Sequence, residues 1–141
     1  MIQRIQSLWL LLAAAASALL YKWPIYGGEL LAGGNREMLI RESLLLLIVN
    51  VVLVLFPLVA LAQFKNRSNQ KKLIFVSLLL QAVFIGLIWM EANEFAAKFP
   101  LKKGGYHLAA TLPVVAMVLL LLALSGIRKD EKLIKSADRL R

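Results

Sequence analysis

Apolar positions along the chain are gathered into four long runs rather than spread at helix-face or strand-face spacing. The first opens at Ile5 with "IQSLWLLLAAAASALL" and extends to about position 24. The others cover about residues 44–64, 73–91 and 108–127. A helix rises about 1.5 Å per residue, so about 21 residues span roughly 30 Å, the thickness of a bilayer's hydrocarbon core. No Asp, Glu, Lys, Arg or His lies well inside any run. Barrel strands are shorter and alternate apolar with polar residues, so the runs predict helices. The pattern predicts an all-α integral membrane protein: a single domain over residues 1–141, a four-transmembrane-helix bundle with short loops joining antiparallel neighbours. Pro57 predicts a kink in the second span, and Pro113 either opens the fourth span or kinks it.

The first run has a rival reading as a signal peptide, with Arg4 before an apolar core and Ala16, Ser17 and Ala18 as a small-residue cleavage pattern. Against this, one positive side chain makes a thin n-region, and aromatic and apolar residues continue to Tyr26. The expectation is an uncleaved span.

Composition sharpens the class. Hydrophobic residues make up 60% of the 141, above the roughly 45–50% of ordinary soluble domains. The absence of cysteine removes disulfides, thiolate metal sites and cysteine nucleophiles. The net charge of +9 has no accompanying groove or stacking motif, so nucleic acid is not an expected partner. Its distribution fits membrane threading instead. Arg4, Lys65, Arg67, Lys71, Lys72 and six basic residues after Ile127 fall on one side of the predicted spans. Lys22, Arg36, Arg41, Lys98, Lys102 and Lys103 fall on the other, with Glu29, Glu37, Glu42, Glu91 and Glu94. The positive-inside rule then places both termini in the cytoplasm, the N-in/C-in arrangement. Trp9, Tyr21, Trp23, Tyr26, Trp89 and Tyr106 stand near span ends, where aromatic rings prefer the headgroup level.

Residues 128–141, "RKDEKLIKSADRLR", form a dense mixed-charge tail. Ile127, Leu133, Ile134, Ala137 and Leu140 fall on one side of a helix, so the tail reads as an amphipathic helix of three to four turns. Glu131 with Lys135, and Asp138 with Arg141, have ion-pair spacing. One reading is a solvated flank lying against headgroups. The other is docking, to a protein partner or to the chain's own middle loop, through Leu133, Ile134 and Leu140. The acids Asp130, Glu131 and Asp138 favour a protein-facing surface over a pure anionic-lipid anchor.

Within the spans, Asn50 and Gln81 are the candidate interhelical polar contacts, since buried amides in lipid turn inward and bond across helices. The pairs Ala13/Ser17 and Ala14/Ala18 would let another helix approach the first span. The paired glycines of "YGGELLAGGNREM" lack phosphate-loop spacing and read as a flexible outer turn. Glu91, Glu94 and His107 form the one constellation with catalytic or metal-ligating chemistry, two carboxylates and an imidazole flanking an outer loop. No second histidine accompanies them, and no catalytic, cofactor or metal site is assigned.

"MIQRIQSLWLLLAA" at the start, "FKNRSNQKK" after the second run and "IRKDEKLIKSADRLR" at the close resemble a family of small bacterial four-helix membrane proteins, the domain of unknown function 4293, associated with the Bacteroidota. The resemblance implies an integral inner-membrane protein and carries no site residue, cofactor or activity with it. The expected function is a non-enzymatic scaffold or accessory subunit. It would sit in the lipid bilayer and dock a protein partner through its cytoplasmic tail and middle loop, alone or as a homo-oligomer. The alternatives are a small transporter, channel or lipid-handling protein acting as an oligomer, and a membrane enzyme using Glu91, Glu94 and His107.

Overall fold

The structure, a computed structural model, describes residues 2–139 of the chain. Four helices account for most of it: α1 (Ile2–Leu19), α2 (Leu44–Ala62), α3 (Arg67–Lys98) and α4 (Leu112–Arg139). Among the described residues three helical stretches are long and apolar enough to cross a membrane: Leu44–Ala62, Arg67–Lys98 and Leu108–Ile134. The apolar part of α1, Ile5–Leu19, is shorter. It ends earlier than the sequence predicts because the chain turns at Leu20–Lys22 toward Pro24, and the residue before a proline is biased out of the helical region. At about 1.5 Å per residue the 32-residue α3 is near 48 Å long, longer than the roughly 30 Å hydrocarbon core of a bilayer.

Local signals set the helix starts. Ser43 and Asn66 sit at the N-caps of α2 and α3, accepting from the backbone N–H groups of Leu46 and Asn69. Pro57 is buried within α2, which continues through it. Pro113 lies in the first turn of α4, where a proline forfeits no helical hydrogen bond.

The main helix contacts are α1 with α2 and α4, and α3 with α2 and α4. Ala13, Ala14, Ala16 and Ser17 are buried on α1, and these small side chains let its neighbours approach closely. Ala18, by contrast, faces outward. One apolar cluster, with Leu10, Ala13, Ala60, Ile74, Leu120, Ala123 and Ile127, fills the interior toward the tail. A second, with Leu20, Ile25, Met38, Ile40, Leu46, Phe84, Ile88 and Phe95, fills the opposite end. Leu45, Ile48, Val51, Leu55, Leu79, Val83, Val118 and Leu121 are exposed on the flanks. So broad an apolar surface is what lipid, not water, would cover.

The all-α expectation is corrected at the far end. Strands β1 (Tyr26–Leu30), β2 (Asn35–Met38) and β3 (Leu101–Tyr106) form an antiparallel sheet in the order β2-β1-β3. The loop expected to be a flexible turn is therefore a hairpin, with Gly33 and Gly34 at φ +90° and +94° in its tip. Gly27 and Gly28 are strand residues. They pair with Gly105 and Gly104, while Tyr26 faces Tyr106. A Cβ on Gly28 would clash with the Lys103 carbonyl oxygen, and one on Gly27 would lie 2.5 Å from that of Arg36. Close strand approach, not flexibility, is what these two glycines provide. Tyr26 also packs edge-on against Phe95 at 6.2 Å, which ties the sheet to α3.

Candidate functional site

The polar end of α4 is built from three helices. α4 does not stop at the apolar run but continues to Arg139, so the tail is an extension of the helix rather than a separate element. Two contacts fix it. The Lys71 ammonium near the start of α3 donates to Glu131, at 2.7 Å from Oε1 and 2.9 Å from Oε2. Gln6 on α1 donates through Nε2 to Asp130 Oδ2 at 2.7 Å, and both side chains are buried. Gly126 makes the second contact reachable: a Cβ there would come within 2.9 Å of Gln6 Cγ, so the missing side chain lets α1 lie close against α4.

These contacts change how the tail reads. Two of its three acids face the chain's own helices, one toward α1 and one toward α3. The apolar stripe divides as well. Ile127 belongs to the core, whereas Leu133 is 57% exposed and Ile134 47%. Ile134 borders a recess of about 290 Å³ with Arg67, Lys71 and Glu131. Leu140 lies outside the described residues, as do the side chains of Lys135, Asp138 and Arg141, so their predicted roles are not placed. Sequence reasoning named the chain's own middle loop, which holds Lys71, as one place for the tail to dock, but it did not single out the Lys71–Glu131 contact, Gln6 or Gly126. Lys71 and Glu131 are opposite charges on segments that the threading had already put on one side, and that was a usable signal. Nothing in the sequence marks Gln6 as the partner of Asp130.

Asn50 on α2 and Gln81 on α3 are 3% and 1% exposed. Asn50 Oδ1 and Gln81 Nε2, an acceptor and a donor on packed neighbouring helices, have no hydrogen-bond partner. Ser77, one turn before Gln81, donates to the Leu73 carbonyl of its own helix.

The outer constellation is not assembled. Glu91 accepts from Ser43 Oγ at 2.8 Å, joining α3 to the start of α2. Glu94 makes an exposed ion pair with Lys98 at 3.6 Å. Both acids line a recess of about 350 Å³ with Glu42, Ser43 and Lys98. His107 borders a different recess, of about 460 Å³, against the sheet with Glu29, Glu37, Lys102 and Lys103. Among the described residues no group of three or more His, Asp or Glu side chains is placed to hold a metal ion.

The family described as "Domain of unknown function (DUF4293)" matches residues 2–140, nearly the whole chain, and the chain belongs to it. No curated protein and no solved structure matches the chain.

Proposed function

We propose that this DUF4293 member is a bacterial inner-membrane protein that crosses the bilayer four times as a four-helix bundle, with both termini in the cytoplasm, and works as a non-enzymatic scaffold or accessory subunit. Its working surface is the end of α4, where Leu133 and Ile134 dock a protein partner. The observation that carries the reading is a pair of large apolar side chains left exposed beyond the apolar span, on a helix end clamped by Lys71–Glu131 and Gln6–Asp130. Such residues would be free to bend into the headgroups on a loose tail. On a braced helix they keep one geometry, and a pre-ordered surface loses less entropy when a partner binds.

Several features support the threading. α1 lies along α4 and α2, which favours a shared depth in the bilayer for all four helices. The excess of Lys and Arg on the side of the tail and of the 65–72 loop favours that side as cytoplasmic. The Ile134 side of the docking surface is bordered by Arg67 and by the Lys71–Glu131 pair, so the partner should present an apolar patch with an acidic group opposite Arg67. Co-purification in mild detergent tests this, comparing the native chain with Leu133→Ser/Ile134→Ser. A specific partner retained by the native chain and lost from the double variant is the expected result. Equal recovery from both would refute it.

A further inference from the structure

A second feature of α4 lies on a different face from the proposed docking pair. Leu121, Leu124, Ser125, Arg128, Lys129 and Lys132 line an open groove of about 370 Å³. At about 100° per residue these six share one side of the helix, turned away from buried Asp130. The groove changes character along its length. Its apolar end, at Leu121 and Leu124, continues into the exposed Val114, Val118 and Leu122 of the span. Its other end holds three cations. Ser125 is the small side chain between the two, and its hydroxyl already donates to the Leu122 carbonyl at 2.9 Å. It therefore opens space in the groove and contributes an oxygen, not a proton.

Among the described residues none of Arg128, Lys129 and Lys132 forms an ion pair. Asp130 and Glu131, on the same turns, are engaged by Gln6 on α1 and Lys71 on α3. The clamp that braces the tail thus also leaves this face with positive charge that Asp130 and Glu131 do not neutralise.

We propose that this groove is a binding site for one anionic glycerophospholipid, its phosphate held by Arg128, Lys129 and Lys132 and its acyl chains lying on the exposed Leu121 and Val118. A guanidinium and two ammonium groups within two turns suit a phosphate. They stand where hydrocarbon-facing residues give way to charge, the depth of a lipid headgroup. A soluble phosphate would use the cations and gain nothing from the apolar end. A lipid uses both halves of the groove. A zwitterionic lipid carries its own ammonium, which three cations repel.

Native mass spectrometry of the full chain in neutral detergent tests the site. The probes are dioleoylphosphatidylglycerol, dioleoylphosphatidylethanolamine and free glycerol phosphate. The expected result is retention of one phosphatidylglycerol per chain, about tenfold tighter than phosphatidylethanolamine, with glycerol phosphate weaker than both. Arg128→Gln/Lys132→Gln should weaken phosphatidylglycerol by about tenfold. Lys22→Gln/Lys102→Gln, which removes the same charge at the other end of the molecule, should leave it unchanged. Equal retention by the first variant, an equal loss in the second, or glycerol phosphate binding as tightly as the lipid would each overturn the proposal.

Discussion

Lys71 and Glu131, sixty residues apart in sequence, meet in a two-oxygen ion pair with N–O distances of 2.7 and 2.9 Å. The pair joins the start of α3, beside the basic middle loop, to the tail, so two segments far apart in sequence are held together. Their side chains are 33% and 30% exposed, so solvent screens the pair and its worth to global stability is modest, below about 1 kcal/mol. Its effect belongs to local order. Lys71→Glu should speed tryptic cleavage after Lys129 and Lys132 several-fold while leaving the thermal midpoint nearly unchanged. The reversed pair Lys71→Glu/Glu131→Lys should restore protection.

The Gln6–Asp130 contact is buried, and its loss should be felt by the whole fold. Asp130→Leu strands the Gln6 amide and should cost about 1–3 kcal/mol in detergent unfolding. Asp130→Asn keeps an acceptor oxygen and should cost less. Gln6→Leu/Asp130→Leu should be milder than Asp130→Leu alone, because no orphaned amide remains.

Gly126→Leu should act through the same contact. Its side chain would enter the space already filled by Gln6 Cγ, prising α1 from α4. The expected result is a stability loss of about 1–3 kcal/mol, typical of overpacking, together with the increased tail proteolysis that marks a broken clamp.

Asn50 and Gln81 bring an unpartnered acceptor and an unpartnered donor into the interior on adjacent helices. If small rearrangements join them, Asn50→Leu and Gln81→Leu should be non-additive, with a coupling of about 0.6–1.7 kcal/mol in a double-mutant cycle. Additive effects would mean that the two amides act separately.

The threading is open to single-cysteine labelling, since the chain has no cysteine. Ser68 is exposed in the first turn of α3, and Leu31 is exposed at the hairpin tip. Leu31 is a better probe site than Gly33, whose φ of +90° would strain a cysteine. In intact spheroplasts an impermeant thiol reagent should modify Leu31→Cys and spare Ser68→Cys. The opposite pattern would reverse the orientation.

How far the sequence was legible depends on what each signal measures. Runs of hydrocarbon mark helices because lipid satisfies no backbone group, and α2, α3 and α4 lie where those runs lie. The sheet was missed because its strands, "YGGEL" and "LKKGGY", are glycine-rich and lack the apolar alternation that marks a strand. A quieter signal was present: the mirrored "YGG" and "GGY" pair residue for residue, Tyr26 with Tyr106 and Gly28 with Gly104. The outer trio, to which no site was assigned, is divided for a different reason. Sequence placed Glu91, Glu94 and His107 at similar depth, but β3 intervenes and turns His107 toward the sheet recess. For the tail, helix and charge were readable from spacing. The middle loop was among the readings for the tail, and Glu131 meets Lys71 there; the Gln6 partner of Asp130 was not readable, because it comes from a helix distant in sequence.

Site-specific photocrosslinking in native membranes addresses the central claim most directly. A photoreactive residue would be placed at Leu133 or Ile134, with Val115, exposed on the apolar flank of α4, as the control position. The account predicts that Leu133 and Ile134 capture one and the same protein, that Val115 does not, and that Lys71→Glu weakens the capture by loosening the helix end. Adducts to lipid alone, or to nothing, from both tail positions would contradict it and leave the tail as an orientation signal.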